Sequence, residues 1–233
     1  MNQLEEYYSA NLYPFQDGIL NIVKELNIPF YLTGGTALSR HYFQHRYSDD
    51  LDLFVNNDSN FEKYVETFYK SLGENGNKYH FEIDFQRIRR TEFYAQFFLI
   101  KNNIELKIDL INDVADHYGD FQVNKILGKV DSLRNILSNK LTALFRYEVK
   151  DIADIRVICK NYKCNFREIV EEAKTKEAGV DPIAIYEILS SFPADKINLI
   201  KWVKEPEAKI FETEIKQIAE DVLYGRENSL FVK

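Results

Sequence analysis

The sequence predicts an α+β fold: a mixed sheet flanked by helices through about residue 125, followed by a helical C-terminal part. Three observations predict it. From Tyr79 to Ile111 apolar and polar residues alternate in several runs, with the two-residue period of strands. A short apolar run, Phe30 to Leu32, feeds a glycine pair and then residues of helical character. Beyond about Asp131 the apolar spacing changes to that of helices and stays so to Leu223. The expected division is an α/β domain over residues 1–125 and a helical domain over 126–233 packed on it.

Composition sets the outer bounds. The 233 residues suit one generous domain or two small ones sharing a core. Hydrophobic residues make up 45% and charged residues 29%, and the 17 Phe and 15 Tyr supply material for a sizeable core. A net charge of -7 excludes polyanion binding by bulk electrostatics, so nucleic acid would need a local basic patch. Cys159 and Cys164 lie in a stretch of helical pattern without the ligand cluster of a zinc site, and are expected to be reduced thiols. No segment has the apolar length of a membrane span. The N-terminal MNQLEEYYSANLYPF carries acidic residues where a secretory signal carries basic ones, so a cytoplasmic protein is expected.

Taken in order, residues 3–26 are predicted mostly helical, with Ile19, Ile22, Val23 and Leu26 on one stripe and Asn27 and Pro29 ending it. Gly34 and Gly35 turn the chain, and Thr36 to His45 has helical character. The next strand carries Asp50, Leu51, Asp52, Leu53 and Phe54. Alternation puts Asp50 and Asp52 on one face and both leucines on the other. Ser48 shares the Asp50 face; Asp49 points the opposite way, as a strand-start residue. Residues 60–72 are predicted helical, with Phe61, Tyr64, Val65, Phe68 and Tyr69 inward, and GENGN at 73–77 is a predicted loop.

Tyr79, Phe81, Ile83 and Phe85 predict a half-buried strand, and Thr91 to Ile100 one lying deeper. Between them Arg87, Arg89 and Arg90 make a basic cluster, either a solvated hairpin end or a phosphate-facing patch. In the strand Ile104 to Ile111, the residues Ile104, Leu106, Ile108 and Leu110 face one way. Glu105, Lys107 and Asp109 face the other. Ser132 is a candidate cap for a helix holding Leu133, Ile136, Leu137, Leu141 and Leu144. Ile152, Ile155 and Ile158 continue the helical pattern, and Pro182 and Pro193 mark breaks or helix starts.

The acidic strand carries the chemistry. Two carboxylates on one face of a strand otherwise made of core residues are costly unless a positive charge sits between them, and a divalent cation suits that place. Asp109 adds a third from a later strand. Three such oxygen donors suit two magnesium ions, and a glycine turn opening a helix offers backbone N–H groups to phosphate. The combination describes a site that positions a nucleoside triphosphate and directs a hydroxyl at its α-phosphorus. Neither the glycines nor Asp-Leu-Asp is specific alone; their order within one α/β segment is.

GGTAL followed by HRYSDDLDLF resembles the signature of the polymerase-β-type nucleotidyltransferases. Within that superfamily it is most similar to the AbiEii/AbiGii toxin group of bacterial abortive-infection and toxin–antitoxin systems. The resemblance extends to ELKIDLI at 105–111 and KLTALFRYEVKDIADI at 140–155, about half the chain in all. It implies a nucleotidyltransferase-type sheet in which Gly34, Gly35 and Thr36 hold the triphosphate. By the same resemblance Asp50 and Asp52 bind both metals, and Asp109 completes the site of the metal that activates the acceptor. Lys140 matches a family lysine near the phosphates, and Asp151 the acidic residue of the last motif.

Plainer readings stand beside these. Ser48 either bonds a phosphate oxygen or begins the strand. Lys140 alone is equally a solvated helix lysine, and Asp151 a helix cap. Asp154 falls off the matched position and reads as a helix-surface or ion-pairing residue. His45 and Arg46 fit the family pattern and a structural role equally. Lys150 replaces an arginine common in the family, keeping charge but losing bidentate geometry. The activity implied is magnesium-dependent transfer of an NMP from an NTP to an acceptor hydroxyl on RNA (a tRNA end) or protein, with a cognate antitoxin as partner. The alternatives are nucleotidylation of a small molecule such as an antibiotic, and a nucleotide-binding regulator without turnover. The presence of all three aspartates argues against the last.

Overall fold

The computed structural model describes residues 3–232. The chain divides into two compact units. The first comprises the residues up to Tyr42 together with 47–114 and 121–131; the second comprises 43–46, 115–120 and the chain from Ser132 onward.

The first unit is a mixed sheet with helices. Helix α1 (Gln3–Tyr7) passes through a π-helical turn into α2 (Tyr13–Glu25), and strand β1 (Tyr31–Thr33) follows. The glycine pair opens the short α3 (Gly34–Ala37), extended by a π-helical segment, Leu38–Phe43. Strand β2 (Leu51–Asn56) leads to α4 (Phe61–Tyr79), then β3 (Glu82–Ile83), β4 (Arg89–Arg90), β5 (Tyr94–Lys101) and β6 (Ile104–Asp113). A hairpin of β7 (Gln122–Asn124) and β8 (Gly128–Val130), without a counterpart in the sequence expectation, closes the unit. Among the described residues the sheet order is β3-β5-β6-β2-β1-β8-β7, with β4 also on β5. β2 runs parallel to β6 and antiparallel to β1.

One face of this sheet is core. Leu51, Leu53, Leu106, Ile108, Leu110, Phe97 and Leu99 are fully buried there. Helices α2 and α4 supply Phe15, Ile19, Phe68 and Leu72, also buried, with Phe68 edge-on to Phe97. Each such Leu or Phe contributes about 1.5–3 kcal/mol by leaving water. The opposite face of β2 and β6 is where the alternation leaves polar side chains.

Two expectations are corrected here. GENGN is not a loop: α4 runs through Gly73 and Gly76 and stops only at His80, whose φ of 58° is left-handed. The cost of helical glycine, about 1 kcal/mol each, is offset by packing. The Tyr79 ring lies over Gly18 of α2, where a Cβ would stand 3.0 Å from it. The strand expected from Tyr79 to Phe85 shrinks accordingly to β3. Asp84 caps a 3₁₀ turn by accepting from the Gln86 amide at 3.1 Å, and this leaves Phe85 exposed.

The second unit is helical: α5 (Leu133–Ala143), α6 (Val149–Asn161), α7 (Phe166–Lys176), α8 (Pro182–Ser190) and α9 (Ala208–Leu223), with 3₁₀ segments at Leu144–Arg146 and Ala194–Leu199. Ser132 does cap α5, accepting from the Asn135 amide at 3.0 Å. Pro182 opens α8 behind an Asp181 cap. Ile136, Leu141, Ile155, Phe166, Phe211 and Ile218 fill the core. His45 and Arg46 belong to this unit. The His45 carbonyl accepts from the Val203 amide at 3.1 Å, and Arg46 bridges to Trp202. Cys159 and Cys164 are free and buried; burial raises both thiols, Cys164 to about 12.

Candidate active site

The first unit's polar face is organised by a row of residues directly opposite one another across five strands. Thr33 pairs with Asp52, Asp52 with Asp109, Asp109 with Gln96, and Gln96 with Arg89. Paired residues in register share a face, so the row sets two of the expected aspartates side by side on neighbouring strands.

Asp50 sits one residue before β2, in a segment held by buried polar contacts. Gln16 donates its side-chain amide to the carbonyls of Ser48 at 3.2 Å and Asp49 at 3.0 Å. The Thr36 hydroxyl bonds the Asp50 carbonyl at 2.5 Å and the Ser48 hydroxyl at 2.9 Å. Thr36 is fully buried and Ser48 nearly so; in this structure both side chains fasten the acidic segment. Asp49 accepts a short hydrogen bond from the Tyr8 hydroxyl.

Gly34 has φ +66°, and a Cβ built on it would stand 2.5 Å from Asp52 Oδ2. Only glycine lets the turn approach the carboxylate so closely. Thr33 precedes the helix without capping it; its hydroxyl donates to the fully buried Asp131 at 2.5 Å.

Asp109 divides its two oxygens. Oδ1 accepts from the Tyr94 hydroxyl and from Gln96 Nε2, both at 2.9 Å, while Oδ2 takes Lys107 Nζ at 3.0 Å. Lys107 Nζ also lies 3.2 Å from Asp50 Oδ2. One ammonium therefore joins two of the three aspartates. Burial opposes its charge, but Asp50, Asp109 and Asp52 together outweigh that and push its pKa up. Burial and the neighbouring Asp109 raise the Tyr94 phenol to about 12.

The donor set suits a hard divalent ion: carboxylate oxygens gathered on one face, a cradle that a Cβ would fill, and a positive charge already held among them. Among the described residues no three acidic, His or Cys side chains are drawn into a ligand cage; the Lys107 ammonium bridges Asp50 and Asp109 instead.

The three arginines separate. Arg87 stacks on Phe98 with its guanidinium carbon 3.5 Å from the ring centre, and pairs with Glu105 at 2.7 Å. Arg90 turns to the helix-covered side, over Tyr69 and against Glu66. Arg89 is exposed, lies in the Asp109 row, and makes no ion pair among the described residues. A cleft of about 790 Å³ lies past the far end of β2, lined by Asn57, Asp58, Phe61, Arg90 and Phe93, and includes none of the three aspartates.

Lys140 and Asp151 meet in the second unit. Lys140 Nζ stands 2.6 Å from Asp151 Oδ1 and 2.7 Å from Asp154 Oδ2. Arg46 grips both oxygens of Asp154 at 2.7 Å, and His45 Nε2 lies 2.8 Å from Oδ1. Asp151 and Asp154 are fully buried, so Asp154 is an ion-pairing residue but not a surface one. Asp151 does not cap α6, which Glu148 precedes. Burial opposes ionisation of Asp154; Arg46 and Lys140 outweigh it and hold the carboxyl well below the usual range. Lys140 is likewise pushed up by Asp154 and Asp151 against its burial.

Lys107, Gln16, Tyr94, Gln96 and Asp131 escaped the sequence-based expectation as site residues. Lys107 alone left a signal, two positions before Asp109 on the same strand face.

No curated protein sequence matches this chain. Solved structures do. A candidate nucleotidyltransferase from H. pylori is 16% identical at a TM-score of 0.62, covering 96% of each chain. JHP933 from Helicobacter pylori is 17% identical at 0.58, over 92% of this chain and 91% of its own. MenT4, a nucleotidyltransferase toxin from Mycobacterium tuberculosis, is 16% identical at 0.60, over 91% of this chain and 84% of its own. These likenesses show the fold. Among the described residues no helix is long and apolar enough to cross a membrane. Residues 20–231 match the family model described as nucleotidyl transferase AbiEii toxin, type IV TA system. On that match over most of its length, the chain is a nucleotidyltransferase and belongs to the AbiEii toxin family.

Proposed function

We propose that this chain moves an NMP from a nucleoside triphosphate to a hydroxyl of a phosphate-bearing acceptor, an RNA end. The observation that carries the reading is the register of Asp52 against Asp109, with Asp50 tied to Asp109 through Lys107. The acceptor oxygen attacks the α-phosphorus, the bond to the β-phosphate breaks, and pyrophosphate leaves while the acceptor loses its proton. Gly34 and Gly35 bring backbone close to the triphosphate, and the clamp of Gln16 and Thr36 holds Asp50 ready. Tyr94 and Gln96 aim Asp109, fixing one oxygen so that the other faces the centre. Asp50, Asp52 and Asp109 would hold magnesium, which when bound neutralises phosphate charge and acidifies the acceptor hydroxyl. Lys140 is the lysine that the resemblance assigns to the leaving phosphates, with Asp151 and Asp154 fixing it.

Arg89 favours RNA over a neutral small molecule or a protein hydroxyl. An exposed guanidinium in the Asp109 row, in no ion pair among the described residues, offers a contact for a phosphate next to the reacting hydroxyl. Family membership supports a cognate antitoxin as partner. The test is incubation with each α-labelled NTP, magnesium and separate pools of total cellular RNA and protein. Label entering RNA from wild type, but not from Asp52→Asn, supports the reading; label confined to protein, or equal turnover by both enzymes, overturns it.

A further inference from the structure

We propose that Lys107 is a tethered counter-cation of the acidic centre, which a divalent ion must displace from Asp50 and Asp109, so that ion loading is coupled to the arrival of nucleotide. The inference rests on the assignment of Asp50, Asp52 and Asp109 as ion ligands. Lys107 Nζ lies 3.2 Å from Asp50 Oδ2 and 3.0 Å from Asp109 Oδ2. Tyr94 and Gln96 hold the other Asp109 oxygen, so the one bound to Lys107 is the one that shares the ammonium with Asp50.

A divalent ion bonded to those oxygens at about 2.0–2.1 Å takes up the space and lone pairs that the ammonium now holds, and the two charges repel with no phosphate between them. An incoming ion therefore has to evict the ammonium. The lysine can leave. Its side chain is 29% exposed and its four-carbon stem is flexible, unlike the Asp109 carboxylate, which is fixed on three sides.

Eviction by a bare ion strips Lys107 of both partners without replacing them. An ion arriving with a triphosphate brings oxyanions that the displaced ammonium can meet. The resting site is thus partly neutralised without metal, binds bare ions weakly, and binds ion and nucleotide together more tightly than either alone. The coupling is reciprocal by thermodynamic necessity.

Manganese titration of the full chain, read by the electron paramagnetic signal of free Mn²⁺, tests this with and without a non-hydrolysable NTP. Wild type is expected to bind Mn²⁺ weakly alone and more tightly with nucleotide. Lys107→Met is expected to bind Mn²⁺ alone about tenfold or more tightly than wild type, with the gain from nucleotide reduced. Lys107→Gln should follow Lys107→Met and stands in if the apolar variant misfolds; Lys107→Arg, keeping the charge, should stay weak. Wild-type binding in the presence of nucleotide with no tightening in either neutral variant overturns the role of Lys107 and leaves the ligand assignment standing. No Mn²⁺ binding by wild type under any condition overturns both.

Discussion

Gly34 lies against Asp52 too closely for a side chain of its own: a Cβ on the glycine would stand 2.5 Å from the carboxylate oxygen. The turn that would approach a triphosphate and the strand that would hold the ion are thereby one mechanical part. Gly34→Ala meets both a left-handed φ and this clash. We expect it to cost about 1–3 kcal/mol of stability and to displace Asp52, lowering transfer by about a hundredfold. Thermal melts and label-transfer rates on the same preparations check it; an active Gly34→Ala enzyme would separate the turn from the site.

Asp50→Asn and Asp52→Asn each remove one negative charge from a group of three around one lysine. The backbone clamp of Gln16 and Thr36 does not involve the Asp50 side chain, so the segment keeps its place. Circular dichroism should therefore be unchanged, while transfer falls by about a thousandfold or more. Loss of folded signal in either variant would assign these residues to stability instead.

Arg89→Glu tests the acceptor side. The residue is exposed and outside the core, so folding should be indifferent. With an RNA pool as acceptor the apparent KM should rise about tenfold, and the logarithmic salt dependence of RNA binding should flatten by about 0.7, the loss of one phosphate contact. Nucleotide affinity should not move. An unchanged KM and salt slope would remove Arg89 from acceptor recognition.

The legible parts of this molecule are those written in short-range pattern. Alternation placed Asp52 opposite the Leu51 and Leu53 face, and a glycine pair marked the turn at Gly34, where φ is positive. Register is not short-range. Nothing local says that Asp52 faces Asp109, or that Arg89 falls in the same row while Arg90 turns away; those depend on how far each strand slides against the next. The GENGN segment misled for a related reason. Glycine lowers helix propensity everywhere, but the packing of Tyr79 over Gly18 at the end of α4 is tertiary. Lys140 and Asp151 drew notice through family resemblance, and their burial as an ion pair with Asp154 and Arg46 has no sequence signature at all.

The Asp154 cluster predicts an acid-sensitive limb of stability. Burial raises the cost of its charge, and Arg46 and Lys140 more than compensate, so the folded carboxyl titrates well below its unfolded value near about 3.9. A depressed folded pKa means that the contribution is fully present above about pH 4 and is lost as pH falls further. Asp154→Asn leaves Arg46 and Lys140 buried with less negative charge, which costs about 3–5 kcal/mol at neutral pH. In urea unfolding across a pH series, the gap between wild type and Asp154→Asn should not narrow from neutral pH down to about 4, because Asp154 also supports charge on His45. Below that it should close, because wild type alone takes up a proton at this position on unfolding. A gap that stays constant into strong acid would mean that Asp154 is not the titrating partner of Arg46 and Lys140, and that the cluster draws its stability from packing.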